Sequence, residues 1–508
     1  LIVYSINKAI GRASSGVEYA QSYRNQVLSK LDVTQKYIYT DFIEKNLIPY
    51  AKSLKFEKEK IIWIYSFLAN RYNHECSFSP EAFESQMEGF KKEEQKDGEE
   101  LVVIYTKGAL KYKLRKTEDG FISHIDMQVN GKIYKRMYYT NSLSHESYYQ
   151  DGKLSHRIFY DNEGEIAYTQ YYDNNKITVT VFKEKILFGK SEFLNELFTK
   201  LEIKKEDFLI IDRSLDNAAS VLRNNNGAKT ALVIHAEHYH SKKTFDDYIL
   251  WNNYYEYSFV NHKYIDYFIT ATQKQAEIFT KQMTDSFGDA FKSKVVTIPV
   301  GAAEDFPEVQ TTIANKFKLI TASRLADEKH VDDVVKAVIK AKEELPELSL
   351  DIYGEGKHRT TLASLIKVNN ASDYIQLKGH QDLTKVYPQY GVYVSASLSE
   401  GFGLSLLEAL SNGLVFVGYD VDYGNTEFML EGENAKKIPF EKDAVQEDVL
   451  KNAILSLYGK KSEEVQGKSF DIAKGMDTSF EHSKNYTTEV IKKLWAQLLD
   501  LPIGGYQR

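Results

Sequence analysis

Between Leu101 and Gly189 the chain repeats one device: a short run of aromatic and β-branched residues closed by a turn dipeptide. The dipeptides are Asp119-Gly120, Asn130-Gly131, Asp151-Gly152 and Glu163-Gly164, followed by Asn174-Asn175. Such pairs accept positive φ and close tight hairpins whose twist matches the flanking strands, so the segment reads as an antiparallel meander. Its units resemble one another, with Gly131-Lys-Ile-Tyr134, Gly152-Lys-Leu154 and Gly164-Glu-Ile166 each followed by an aromatic pair. The pairs are Tyr138-Tyr139, Phe159-Tyr160 and Tyr171-Tyr172. Neighbours on a strand face opposite sides, so each pair is expected to bury one ring and leave the other available for contact. The plainer reading is that a thin sheet uses tyrosine as amphipathic cladding. The preceding run, Lys91 to Glu100, is too charged to bury a face and reads as a solvated linker or loop.

On both sides of the meander the pattern changes to α/β. Leu1–Ile6 reads as a buried strand, Gly11 to Gly16 as a small polar loop and Val17–Lys30 as a helix. After Gly189 the alternation resumes with strands at Phe208–Ile211 and Ala231–Ile234, so the meander is an insertion. Beyond Pro299 a second series has strands near Lys318–Ala322, Leu348–Tyr353, Tyr374–Leu377, Val392–Ser395 and Leu414–Gly418. Alternation of this kind predicts a doubly wound parallel sheet, and 508 residues allow more than one such core. The net charge of −7 supplies no sequence-wide cationic field for a nucleic-acid backbone. No run approaches the roughly eighteen apolar residues that span a bilayer, and any membrane association would be peripheral. The one cysteine, Cys76, cannot form an intrachain disulfide and reads as a free structural thiol in a reducing compartment.

Ligands of open parallel sheets bind at the carboxyl ends of the strands, so the residues following them come first. In Ser395–Ala409 a strand ends, Ser399-Glu400-Gly401-Phe402-Gly403 turns, and a helix begins at Leu404. Gly401 and Gly403 let backbone approach a ligand, and the helix start offers amide donors suited to phosphate. Glu408 lies one turn further along, and its carboxylate can accept from two vicinal hydroxyls, as ribose offers; Glu400 can serve sugar hydroxyls similarly. Thr321-Ala-Ser-Arg324 closes another strand and Lys329 follows five residues later, so the two cations can converge on one anion, such as a departing diphosphate. The third loop is His235-Ala-Glu-His238. Its His-x2-His spacing lacks a well-placed third ligand and argues against zinc. A histidine there can reach a donor hydroxyl, and a satisfied structural histidine is the alternative for either position.

Glu400-Gly-Phe-Gly-Leu-x3-Glu408, taken with Arg324 and Lys329, resembles the retaining glycosyltransferases of family GT4, whose fold is GT-B. Ala13-Ser-Ser-Gly-Val-Glu-Tyr-Ala20, His235-Ala-Glu-His238, Trp251-Asn-Asn-Tyr-Tyr255 and the inserted meander look like one branch of it. That branch comprises the catalytic subunits of O-N-acetylglucosaminyltransferases that initiate glycosylation of serine-rich repeat adhesins. The resemblance implies two Rossmann-like domains facing across a cleft, with the β-rich meander inserted in the first. It places an acceptor-side domain at residues 1–55 and 190–300, the insert at 56–189, the nucleotide-sugar domain at 301–485, and a helix crossing back to the first domain at 486–508. It implies that Gly16 and Val17 face the donor diphosphate, that Gly379 and His380 lie by the uracil, and that Glu408 holds ribose. Sugar contacts are implied for His235 and Glu400, diphosphate contacts for Arg324 and Lys329, and contacts to sugar hydroxyls and phosphate for Gly401, Phe402, Gly403 and Leu404. Glu400, Arg324, Lys329 and His235 are thereby the catalytic set. The family uses no metal or further cofactor, and its front-side chemistry lets the departing diphosphate deprotonate the acceptor, so a dedicated base is not required. The implied partners are a GtfB-like non-catalytic subunit in a hetero-oligomer such as a heterotetramer, the adhesin acceptor and a UDP-sugar, without nucleic acid, in the cytoplasm.

Two other functions fit parts of this pattern. A wall-teichoic-acid glycosyltransferase would share the body and carry a comparable insert. A non-catalytic adhesin-binding chaperone would use the tyrosine-rich repeats but has no need of Glu400, Glu408, Arg324 and Lys329 in strand-end loops. The choice between glucose and N-acetylglucosamine rests on a few pocket side chains and is open at this level.

Overall fold

A computed structural model describes residues 1–11, 16–97, 100–241, 244–245, 248–303, 316–383, 385–459 and 470–502. The chain divides into two compact units: Leu1–Asn25 with Asp32–Val233 and Asn253–Asp266, and Gln26–Leu31 with Ile234–Asn252 and Tyr267–Arg508.

In the first unit, Ile2–Asn7 is a buried strand between Thr34–Tyr39 and Phe208–Ile211, all parallel. Ile61–Trp63 extends this sheet beyond Thr34–Tyr39, and Lys229–Ile234 extends it beyond Phe208–Ile211. With strands numbered along the chain the spatial order is 3-2-1-4-5, which is doubly wound. The expected loop from Gly11 to Gly16 falls mainly on residues 12–15, outside the described residues; the helix after it runs Gly16–Leu28.

The insertion is a ten-stranded sheet in which each strand pairs antiparallel with its chain neighbours. Asn130-Gly131 and Asp151-Gly152 sit at hairpin corners with φ of 50° and 77° and of 49° and 77°, and Asn174-Asn175 with 47° and 61°. These values are those of the turns that asparagine, aspartate and glycine enter at least cost. One face carries a ladder of stacked rings, Tyr138 on His145 at 4.3 Å, His145 on Phe159 at 5.3 Å and Phe159 on Tyr168 at 4.6 Å. The helix Gly189–Lys200 covers it through Phe193, and the Tyr168 hydroxyl donates to the Tyr65 carbonyl oxygen at 2.9 Å.

Two expectations are corrected here. Within the run Lys91 to Glu100, expected as a loop, Lys91–Asp97 is the edge strand, paired in register with Glu100–Lys107. Its side chains are exposed on both faces, so no alternation betrays it, and its charges guard an edge that would otherwise recruit another strand. Tyr138 and Tyr139 are both buried, because Phe78 stacks on Tyr139 at 4.5 Å and Phe83 belongs to the same core. The one-in, one-out arrangement appears further along, where Phe159 is buried and Tyr160 half-buried. There the opposite face carries Tyr148, His156, Tyr171, Val179 and Phe188 as successive cross-strand partners, with Tyr171 and Phe188 exposed.

Burial also sets an acid limit on stability. Desolvation, helped by the Arg136 charge, holds His124 down to about 4, and desolvation with Arg157 and Arg71 holds His145 well below the usual histidine range. The unfolded chain therefore takes up protons near pH 6.5 that the folded chain refuses, so this stabilisation is complete above about pH 6.5 and is lost as pH falls toward 4. The melting temperature is expected to drop between pH 7 and 4.5, and His145→Phe to flatten that slope. Equal slopes for the two proteins would contradict the assignment.

In the second unit the strands Lys318–Ala322, Ser349–Tyr353, Ile375–Gly379, Val392–Ser395, Val415–Tyr419 and Ala435–Ile438 form a parallel sheet in the order 3-2-1-4-5-6. The helix Val331–Lys342 packs Val331, Val334, Val335, Val338 and Ala341 into its core, a helical repeat of one apolar face. Tyr267–Thr270 pairs parallel with Val295–Thr297. No helix among the described residues is long and apolar enough to cross a membrane. Cys76 is half-buried, its thiol donating to the Tyr139 carbonyl at 3.2 Å, as suits a structural thiol.

Candidate active site

The 3-2-1-4-5-6 order places the reversal of winding between Lys318–Ala322 and Val392–Ser395, which are direct neighbours. Loops leaving adjacent strands in opposite directions open a crevice there. Ser323-Arg324 leaves the first of these strands and the Glu400 turn the second.

The Glu400 carboxylate accepts from the Lys329 ammonium, which also donates to Ser397 Oγ at 3.3 Å. The Lys329 and Glu400 side chains are only 15% and 16% exposed, so the pair is largely withdrawn from water. Arg324 is 72% exposed and pairs with Glu328 at 3.0 Å. The two cations thus lie in the same loop region on different carboxylates and do not converge on one group here.

Close backbone contacts fix the turn. A Cβ on Gly401 would lie 2.6 Å from the His235 carbonyl oxygen, so only glycine lets these two loops touch. Gly403 caps the helix Leu404–Ser411 at φ 83°. Within that helix the Tyr387 hydroxyl donates to Glu408 Oε2 at 3.2 Å, while the Tyr393 hydroxyl donates to the Ala322 carbonyl at 2.8 Å and lies 3.0 Å from Ser405 Oγ. Buried tyrosines therefore tie the helix, and Glu408 with it, to the strand ends. Phe402 is buried against Phe428 and Leu404 half-buried. Gly379 ends its strand at φ 75° with its carbonyl accepting from the Gly354 amide at 2.8 Å, and the following His380 is exposed.

The His235 loop is pinned by its backbone. Gln275 Nε2 donates to the Ala236 carbonyl and Asn252 Nδ2 to the Glu237 carbonyl, each at 3.0 Å. His235 is half-buried, whereas His238 is fully buried, edge-on to Phe279 at 5.0 Å with Nε2 2.8 Å from Gln282 Oε1. Burial holds His238 down to about 4, the state of a neutral structural histidine. Gly16 and Val17 open the first helix of the other unit, Gly16 exposed and Val17 buried. Close to them, a cavity of about 370 Å³ is lined by Asn7, Lys8, Gly11, Glu18 and Arg213 among others, again at the carboxyl ends of neighbouring strands.

Among the described residues, one cluster has the spacing of a metal site: His330, Asp332 and Asp333. The Lys336 ammonium contacts both carboxylates, at 2.8 and 3.4 Å. Sequence reasoning missed a second set of close approaches. A Cβ on Gly354 would meet the Ser323 carbonyl oxygen at 1.9 Å, and one on Gly424 the Phe402 carbonyl oxygen at 2.2 Å. Gly354-Glu355-Gly356 directly after a strand was a readable signal for the first; Tyr423-Gly424 carries none.

A doubly wound sheet with an acid pair flanking a glycine turn, and two cations on the neighbouring strand-end loop, is the arrangement that the sequence pattern of a glycosyltransferase leads one to expect. Residues 303–465 match the family of glycosyl transferases group 1, and residues 91–183 match the GtfA extended beta-sheet domain. The chain is 38% identical over 491 residues to the GtfA subunit of the UDP-N-acetylglucosamine–peptide N-acetylglucosaminyltransferase of Streptococcus pneumoniae, covering 94% of this chain and 97% of that one. It is 35% identical to the subunit of the same name from Streptococcus agalactiae over the full length of both. The crystal structure of the pneumococcal O-GlcNAc transferase GtfA in complex with UDP and GlcNAc superposes with a TM-score of 0.89 at 34% identity, covering 98% of each chain. The chain belongs to the GtfA family, and its two parallel α/β sheets with an inserted antiparallel sheet are the GT-B architecture of that family.

Proposed function

We infer that this chain transfers N-acetylglucosamine from UDP-N-acetylglucosamine to serine and threonine hydroxyls of a serine-rich repeat adhesin, with retention at the anomeric carbon. The observation that carries this reading is the end-to-end likeness to GtfA subunits named for that donor and a peptide acceptor. The roles of the site residues follow from that reading. Glu400 takes donor-sugar hydroxyls, together with His235 and the backbone from Gly401 to Leu404, while Glu408, steered by Tyr387, takes the ribose. Gly379 and His380 serve the base, and Gly16 and Val17 approach the diphosphate. Arg324 and Lys329 stabilise the charge that grows on the diphosphate as the glycosidic bond breaks. In this assignment Lys329 bridges sugar and phosphate, bound to Glu400 and within reach of the departing anion. The nucleotide-sugar role falls to residues 301–485 and the acceptor side to 1–55 with 190–300.

The partner is a GtfB-like non-catalytic subunit: a solved GtfA/B complex contains a chain that superposes on this one with a TM-score of 0.87 at 32% identity. The inserted ten-stranded sheet supplies the surface for that subunit or the acceptor, on the face bearing Tyr171 and Phe188. The setting is the cytoplasm. The test offers the chain, with its GtfB-like subunit, a serine-rich peptide and poly(ribitol phosphate) in the presence of equal UDP-N-acetylglucosamine and UDP-glucose. Intact-mass analysis is expected to find N-acetylhexosamine increments on the peptide alone. Hexose increments would move the donor assignment to glucose, and exclusive labelling of the polymer would overturn the acceptor.

A further inference from the structure

We propose that Tyr423 is a positioning residue for Glu400, its side chain clamping a backbone corner that holds the donor-sugar turn in place. This rests on the reading of Glu400 as a sugar ligand. Tyr423 has φ 130° and ψ −73°, a conformation that residues other than glycine rarely adopt, and it is 3% exposed. Such strain persists only where the surroundings over-determine it, and it clusters at functional sites. At this corner Tyr423 forms a parallel bridge with Glu400, and the Gly424 amide donates to the Glu400 carbonyl at 3.0 Å. The corner also presses on Phe402, as the 2.2 Å approach of a Gly424 Cβ to the Phe402 carbonyl records. The Glu400–Phe402 turn is therefore held at two places, by His235 backbone at Gly401 and by Tyr423-Gly424 at Glu400 and Phe402.

The ring supplies the clamp. It lies 6.1 Å, centroid to centroid, from the buried His238 ring, which Gln282 fixes. Burial, with Tyr239, Glu237 and Asp422 nearby, pushes the Tyr423 phenol well above its usual range, so it stays neutral. The same ring thus anchors on the loop that carries His235, and the two donor-sugar loops are coupled side chain to backbone. Without the ring the packing on the His238 loop is lost, only the backbone bridge to Glu400 opposes the strain at φ 130°, and the corner relaxes away from Glu400.

This makes an unusual ranking. Tyr423→Phe keeps the clamp and is expected to retain most of the transfer rate. Tyr423→Ala loses the clamp at a φ that alanine resists, and is expected to lower transfer at saturating donor by about 10²-fold, the cost of a displacement near 1 Å. Tyr423→Gly loses the ring but accepts the φ, and is expected to fall between them, although it removes the most volume. Calorimetry should find a much smaller loss of affinity for UDP than for the intact UDP-sugar, because the ribose contact at Glu408 and the cations Arg324 and Lys329 are untouched, while the extra affinity of the UDP-sugar disappears in the alanine variant. A ranking with glycine below alanine, or equal losses for UDP and UDP-sugar, would reduce Tyr423 to packing and overturn the proposal. Glu400→Gln in the same series separates the failures: if it is silent, the sugar role of Glu400 is wrong; if it is impaired while Tyr423→Ala is not, the positioning role alone is wrong.

Discussion

Glu400→Gln is expected to lower sugar transfer by about 10²- to 10³-fold, the size of effect that follows loss of one aligned charged group at a reacting centre. The amide keeps the shape of the carboxylate but replaces one of its two acceptor oxygens with a donor, so it no longer offers an oxygen to each of two neighbouring hydroxyls, and it leaves the Lys329 ammonium short of its counter-charge. Removing one member of a fully buried pair costs about 3–5 kcal/mol; with both of these side chains still about 15% exposed, roughly 1–2 kcal/mol is expected. The melting temperature should fall by a few degrees. UDP affinity should hold, because the ribose is assigned to Glu408. Donor turnover in the complex with its partner, calorimetry with UDP and a thermal melt together read all three quantities. Unchanged turnover would remove Glu400 from the site, and a collapse of UDP binding would move it from the sugar to the nucleotide.

The two halves of the fold differ in how much their residues reveal. Hairpin corners are local: Asn130-Gly131 and Asp151-Gly152 need positive φ at both positions, and few residue pairs supply it, so the meander is legible without tertiary information. The buried strands Phe208–Ile211, Lys318–Ala322 and Val392–Ser395 are equally plain, being short apolar runs covered on both faces. Lys91–Asp97 escapes detection because an edge strand with both faces wet has no pattern to show. Ring burial at Tyr139 depends on Phe78, some sixty residues away in the chain, and no rule of alternation contains that contact.

At the site the loops that carry Glu400, Glu408, Arg324 and Lys329 are found by counting from strand ends, and the structure brings Lys329 to Glu400 across 71 positions of sequence. What holds those loops is not visible in the same way. Gly401 on His235, Gly354 on Ser323 and Tyr423-Gly424 on Glu400 and Phe402 are approaches of one backbone to another, fixed by tertiary packing. A glycine in a sequence announces freedom; which neighbour uses it is known only once the chain has folded.

The distinct surroundings of the two cations lead to a second large effect with a different signature. Arg324→Gln is expected to lower transfer by about 10²- to 10³-fold with no change in melting temperature, because the side chain is 72% exposed and its contact with Glu328 is a surface pair of little worth. Lys329→Gln is expected to match that loss in rate and also to lower the melting temperature, since it strands the Glu400 carboxylate in a site that admits little water. Glu400→Gln combined with Lys329→Gln removes both charges, so the stability loss of the pair should be smaller than the sum of the single losses, while the rate should not recover. Arg324→Gln combined with either should add independently to stability, because its carboxylate is a different one. Thermal melts of the parent chain and these variants, with single-turnover rates in the presence of the partner subunit, measure the cycle. Additive stability losses for Lys329 and Glu400 would mean that the ion pair is not maintained in solution, and Lys329 would then be assigned to the diphosphate alone. A stability loss in Arg324→Gln equal to that in Lys329→Gln would show that the arginine is drawn into the site rather than held outside it on Glu328.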